Sequence, residues 1–144
     1  MAARLRNRDQ QAGFTFVEML VTVIMIGLLS AIMIPIFLGT REKAAGAGAE
    51  SLLRNGAATV ETVAVDTDGY AGVTTAQLTT VEPNVAWLAA PGAAAPRNEV
   101  TISDLGADGY TLSTTTASGV TYRLHKDVTT TPTVTRTCGA DCTW

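Results

Sequence analysis

The order of apolar and polar positions divides the chain. From Phe14 to Leu38 nearly every residue is apolar, and the 20 residues from Met19 to Leu38 carry no charge. At about 1.5 Å per residue, such a run makes a helix about 30 Å long, the thickness of the hydrocarbon core of a bilayer. Beyond it the apolar positions thin to one face. Ala49, Leu52, Leu53, Ala57, Val60, Val63 and Ala64 recur at helical spacing, with Glu50, Arg54 and Glu61 on another face. The helix is therefore predicted to continue to about Val65. Asp66, Asp68 and Gly69 end it.

The remaining pattern is less helical. Thr75 to Val81 reads as a short helix, capped by Thr74 or Thr75 and stopped at Pro83. From Ala89 to Pro96 the chain is only alanine, glycine and proline, which reads as a loop. The last third alternates with period two. Val100, Ile102 and Leu105 precede a turn at Asp108-Gly109, Tyr110 and Leu112 follow, and a second turn near Ser118-Gly119 leads to Val120, Tyr122 and Leu124 on one face. Val134 opens a fourth strand. The expected fold class is α+β, a long N-terminal helix whose second half packs on a small antiparallel sheet.

Composition and charge limit what such a chain does. At 144 residues, 47% apolar and 16% charged, it holds one small domain plus appendages. Arg4, Arg6 and Arg8 outweigh Asp9 ahead of the apolar run, so the positive-inside tendency keeps the N-terminus in the cytoplasm and exports the rest. Without those four side chains, residues 14–144 hold 7 basic and 12 acidic groups, a net −5. An acidic exported domain repels nucleic-acid phosphate, so DNA is not indicated as a partner.

An ordinary secretory signal has an apolar core of roughly 7 to 15 residues followed by a small-residue cleavage site. Here the run is longer, and Gly39, Thr40, Arg41, Glu42 and Lys43 follow it. Glu18 lies inside the run. A carboxylate on a membrane helix costs roughly 2.5 to 3.5 kcal/mol at the bilayer centre and less near an end, so Glu18 either lies at the headgroup level or has a partner.

Gly13-Phe14-Thr15-Phe16-Val17-Glu18-Met19-Leu20, behind a short basic leader and ahead of a long apolar helix, resembles the prepilin signature of type IV pilins and the related pseudopilins. The resemblance implies that a membrane peptidase cuts between Gly13 and Phe14 and methylates the new N-terminal Phe14. The α-ammonium so created would neutralise Glu18 of a neighbouring subunit in low dielectric, where either charge alone is costly, and thereby fix the register of assembly. Phe16 and Val17 stand where the family more usually has leucine and isoleucine, and Ala12 where many members have a basic residue. Pro35, inside the run, removes one helical hydrogen bond and kinks or weakens the helix, and pilins commonly carry a proline there. Gly27 and Ala31 form a small-xxx-small pair suited to close helix approach.

On this reading residues 1–13 are a cytoplasmic leader and 14–38 a membrane and assembly helix. Residues 39–67 are its amphipathic continuation, 68–98 a connecting region with a short helix, and 99–144 the sheet and a C-terminal loop. Gly39, Gly46, Gly48 and Gly56 either make the helix pliable or allow close packing. Cys138 and Cys142, the only cysteines, are expected to pair outside the cytoplasm, which the chain-entropy model values at about 2 kcal/mol. Many pilins also close a C-terminal loop in this way.

Catalysis finds no constellation. His125, the sole histidine, falls in a strand beside Lys126 and Asp127 and reads as a solvated surface residue, and no metal-ligand spacing, cofactor motif or phosphate-binding loop is present. Asp66-x-Asp68-Gly69 lacks the further oxygen ligands of a calcium loop. The expected function is a structural subunit of a type IV pilus-like filament, and the alternative is a pseudopilin of a type II secretion or DNA-uptake system. Expected partners are further copies of the chain, the prepilin peptidase/methyltransferase, the membrane assembly machinery, minor pilins, and lipid before assembly. The expected location is the inner membrane in a single pass, then an extracellular filament.

Overall fold

The computed structural model of the protein describes residues 13–90, 98–139 and 144. The chain forms two compact units, Met1–Gly39 and Thr40–Trp144.

In the first unit the described residues after Thr15 are all helical and belong to helix α1, Phe16–Asp66. The large apolar side chains here are all exposed, from 46% at Leu20 to 81% at Phe16. This part of α1 is long and apolar enough to cross a membrane. Pro35 lies within α1, where it leaves the carbonyl of Ala31 without its helical donor.

In the second unit, α1 buries the face that its spacing predicts: Ala49, Leu53, Val60, Val63 and Ala64 are buried, and Leu52 and Ala57 partly so. The helix ends where Asp68 and Gly69 take positive φ angles of 56° and 129°, and the Gly69 N–H caps the Ala64 carbonyl at 2.8 Å. A single 3₁₀ turn, Tyr70–Gly72, leads to helix α2, Thr75–Val81. Thr74 caps α2 in a reciprocal box with Gln77, which satisfies two N-terminal donors of this short helix.

Five strands follow: β1 Ala86–Leu88, β2 Glu99–Gly106, β3 Gly109–Thr115, β4 Thr121–Asp127 and β5 Thr133–Cys138, in the spatial order β1-β2-β3-β4-β5. The β2 to β5 neighbours are antiparallel. The sheet departs from expectation in β1, which pairs parallel to β2 within the segment read as a connection. Three residues are too few to display alternation, and what fixes them is tertiary. Trp87 is buried against α1 and donates its indole N–H to the Glu82 carbonyl at 3.3 Å.

A second correction concerns Val120. It does not start β4 but sits exposed in the turn before it, donating its N–H to Thr116 Oγ1, while Gly119 takes φ 86°. The Asp108-Gly109 turn forms as expected. Gly109 has φ 145°, and a side chain there would collide with the Lys126 carbonyl, so only glycine fits.

The core joins Leu53, Val60 and Val63 of α1 to Leu78, Val85, Trp87, Val100, Ile102, Tyr110, Leu112 and Leu124. Leu53, Leu78 and Leu112 are completely buried, each contributing about 1.5–3 kcal/mol relative to exposure.

Candidate functional site

The N-terminal segment supplies the first site. Gly13, Phe14 and Thr15 precede the helix and are exposed, so the Gly13–Phe14 bond lies in non-helical backbone. Thr15 is the cap of α1. Its hydroxyl oxygen accepts from the Glu18 N–H at 3.2 Å, and its own N–H donates to Glu18 Oε2 at 3.4 Å. The Thr15 hydroxyl also lies 3.4 Å from Oε2, and the Met19 N–H bonds the Thr15 carbonyl at 3.2 Å.

This is a capping box, Thr-x-x-Glu, which holds an acceptor-only side chain at the positive end of the helix dipole. The signal is in the sequence, but Thr15 has no role in the expected site. Glu18 remains exposed, and within one chain Thr15 holds it.

The other expected residues are dispersed. Pro35 lies inside α1. Cys138 closes β5, is buried and disulfide-bonded, while Cys142 falls outside the described residues.

A second cluster was not foreseen. Glu61 lies on the polar side of the α1 repeat, yet it collects three donors from distant parts of the chain. Lys126 Nζ donates to Oε1 at 2.6 Å, the Tyr110 hydroxyl to Oε1 at 2.9 Å and the Tyr70 hydroxyl to Oε2 at 2.9 Å. The Tyr70 and Tyr110 rings lie 5.2 Å apart, and Lys126 Nζ stands 5.5 Å over the Tyr70 ring. Burial alone would raise the Glu61 carboxyl, but the bonds from Lys126, Tyr70 and Tyr110 outweigh it and hold it below its usual value. Burial likewise opposes the charge of Lys126, and the Glu61 carboxylate outweighs it and raises the ammonium. Burial and Glu61 both raise Tyr110, which stays neutral. The cluster ties α1, the 3₁₀ turn, β3 and β4 together, and no signal in the sequence pairs residues 49 and 65 positions apart.

Among the described residues no group of three metal-ligating side chains occurs. His125 is exposed on β4, its Nδ1 2.9 Å from the Thr111 hydroxyl. Asp127 accepts from the Thr129 N–H and hydroxyl, both at 2.8 Å, which lowers its carboxyl in an ordinary turn.

These features, an exposed apolar helix capped by Thr15 with Glu18 five residues after Gly13, can be set beside known proteins. Residues 8–34 match the family described as the prokaryotic N-terminal methylation motif. Over 40 residues the chain is 40% identical to the type II secretion system core protein G of Escherichia coli (strain K12), a match covering 28% of each protein. The match thus spans less than a third of that relative. No solved structure matches. Motif and match make part of the chain similar to pilins and pseudopilins.

Proposed function

We propose that the protein is the subunit of a filament of the type IV pilus kind. It is inserted in the membrane as a prepilin with its N-terminus in the cytoplasm, cut after Gly13, methylated on Phe14, and polymerised through its N-terminal helix. The observation that carries this reading is the methylation motif at residues 8–34, continuous with an apolar helix whose side chains stand exposed. A surface of that kind needs lipid before assembly and other helices after it.

The mechanism rests on charge. Cleavage leaves a cation at Phe14, and Glu18 is its counter-ion on the next subunit. Buried in a bundle, either charge alone costs several kcal/mol, so the bundle is stable only in the register that joins them. The capping box is compatible with this role. It occupies Oε2 of Glu18 and keeps the carboxylate at the helix end. On the same reading Cys138 pairs with Cys142, and the chain works by assembly, without catalysis.

The match to a secretion core protein favours a second reading, a pseudopilin forming a short fibre in a secretion system. N-terminal peptide mass spectrometry on the native membrane and sheared surface fractions tests both. A chain starting at methylated Phe14 is expected, and an intact leader would overturn both readings. Surface filaments lost on deletion select the pilin, and lost secretion of enzymes without loss of filaments selects the pseudopilin.

A further inference from the structure

Few cations follow the leader, and three of them meet in one place. Arg54 on α1, Lys126 on β4 and Arg136 on β5 line an open cleft of about 220 Å³ with Ala58, Glu61 and Val134. Among the described residues Glu61 is the one anion lining it, in a region (14–144) that holds 12 acidic and only 7 basic side chains. Lys126 is committed to Glu61. Arg54 lies 3.6 Å from Glu50, an i,i+4 pair with its guanidinium largely in water and therefore weak. Arg136 forms no ion pair with a described residue, and its Nε–H, shielded from solvent, has no acceptor among the described residues. Both guanidiniums lie over the Trp144 ring, at 5.4 Å for Arg54 and 5.5 Å for Arg136. Arginines held together with donors to spare fit a carboxylate.

The same unit carries carboxylates in need of cations. Asp66 and Asp68 at the exit of α1, and Asp104 and Asp108 around the β2–β3 connection, are exposed, and none forms an ion pair with a described residue. The two turns lie near each other, because Tyr70, two residues past Asp68, meets Tyr110, two residues past Asp108, in a tilted ring contact at 5.2 Å.

We propose that the Arg54–Arg136 cleft receives the acidic end of α1, through Asp66 and Asp68, from a second copy of the chain. Cleft and acidic end are built from different side chains, and on the filament reading, in which one contact repeats along an open array, the contact is heterologous. The contact rests on the filament reading and supplies what the N-terminal helix does not, a join between the second units of neighbouring subunits.

The test uses the full chain in its native cells. Ala58→Cys and Asp68→Cys are introduced together, and sheared filaments are treated with a short bismaleimide. Covalent dimers and ladders are expected from the double variant, and neither from the single variants nor from a Glu18→Ala background that does not assemble. No cross-link in double-variant filaments of normal yield overturns the contact. Asp66→Lys with Asp68→Asn, the asparagine chosen because it tolerates the positive φ of 56° at that position, is expected to cut filament yield at least fivefold with Phe14 processing intact, and unchanged yield overturns the contact equally. If the wild-type chain makes no filament, the reading beneath the contact fails. If it does and the cross-link is absent, the contact alone fails.

Discussion

Glu18 does two things that substitution can separate. It completes the cap of α1 through Thr15, and it carries the charge assigned to subunit pairing. Glutamine keeps a capping acceptor and loses the charge, whereas alanine loses both. Glu18→Gln is therefore expected to retain processing and yet reduce filament yield as far as Glu18→Ala does. Wild-type yield from Glu18→Gln, counted by electron microscopy, would assign the role to the cap alone. The glycines of α1 divide just as sharply. A Cβ on Gly46 would run into the Tyr122 hydroxyl, and one on Gly56 would sit 3.3 Å from the Trp87 ring, whereas one on Gly48 meets nothing within 4 Å. Gly48→Ala should gain about 0.5–1 kcal/mol of helix propensity, and Gly46→Ala should lose about 1–3 kcal/mol to overpacking. Thermal unfolding in detergent should move Tm upward for the first and downward for the second.

Among elements, the join between α1 and the sheet depends on Glu61. Its carboxyl sits below the usual 4.5 in the folded chain, so its contribution is present above that value and lost as pH falls through the depressed one. Lys126 is raised above its usual 10.5, so its contribution is complete below 10.5 and fades only as pH rises through the raised value. Stability should be flat between these limits and fall in acid. Glu61→Gln is expected to cost about 1–2 kcal/mol at neutral pH, modest because the carboxylate is 39% exposed, and to flatten the acid limb. Denaturant titrations at pH 7 and pH 4 check both. Most elements were legible because local chemistry defines them: the a/d-like positions of α1, the Thr74 cap, the Asp-Gly turn. β1 was not, since three residues placed by Trp87 carry no period of their own. Glu61 was misplaced for the opposite reason. Its periodicity is that of a solvent face, and only the return of β3 and β4 brings Tyr110 and Lys126 to it.

For the whole molecule, the N-terminal motif is what the sequence makes most legible, because a glycine, a glutamate and an apolar run in fixed order are recognisable without a fold. The Arg54–Arg136 cleft was hidden for want of any spacing rule: its residues meet only once β5 lies beside β4 near α1, and both arginines lie over Trp144. The two units also differ in what they ask of their surroundings. The first exposes nearly all of its apolar surface, and the second buries a core of its own and exposes mainly polar side chains. A mature chain starting at Phe14 should therefore stay with membranes until assembly, and extraction with detergent rather than with salt should release it.

The order of the sheet leaves it with two unequal borders. At one, β1 offers three residues, too short a template to recruit a foreign strand; at the other lies β5, six residues long, with the Thr137 carbonyl taken by the Trp144 indole, Arg136 as its only charge and Val134 45% exposed. On the filament reading, subunits stored together before assembly would bring such borders to a high local concentration. On the same reading, a single charge on that border, Arg136, would disfavour the strand-to-strand annealing that turns stored subunits into an aggregate.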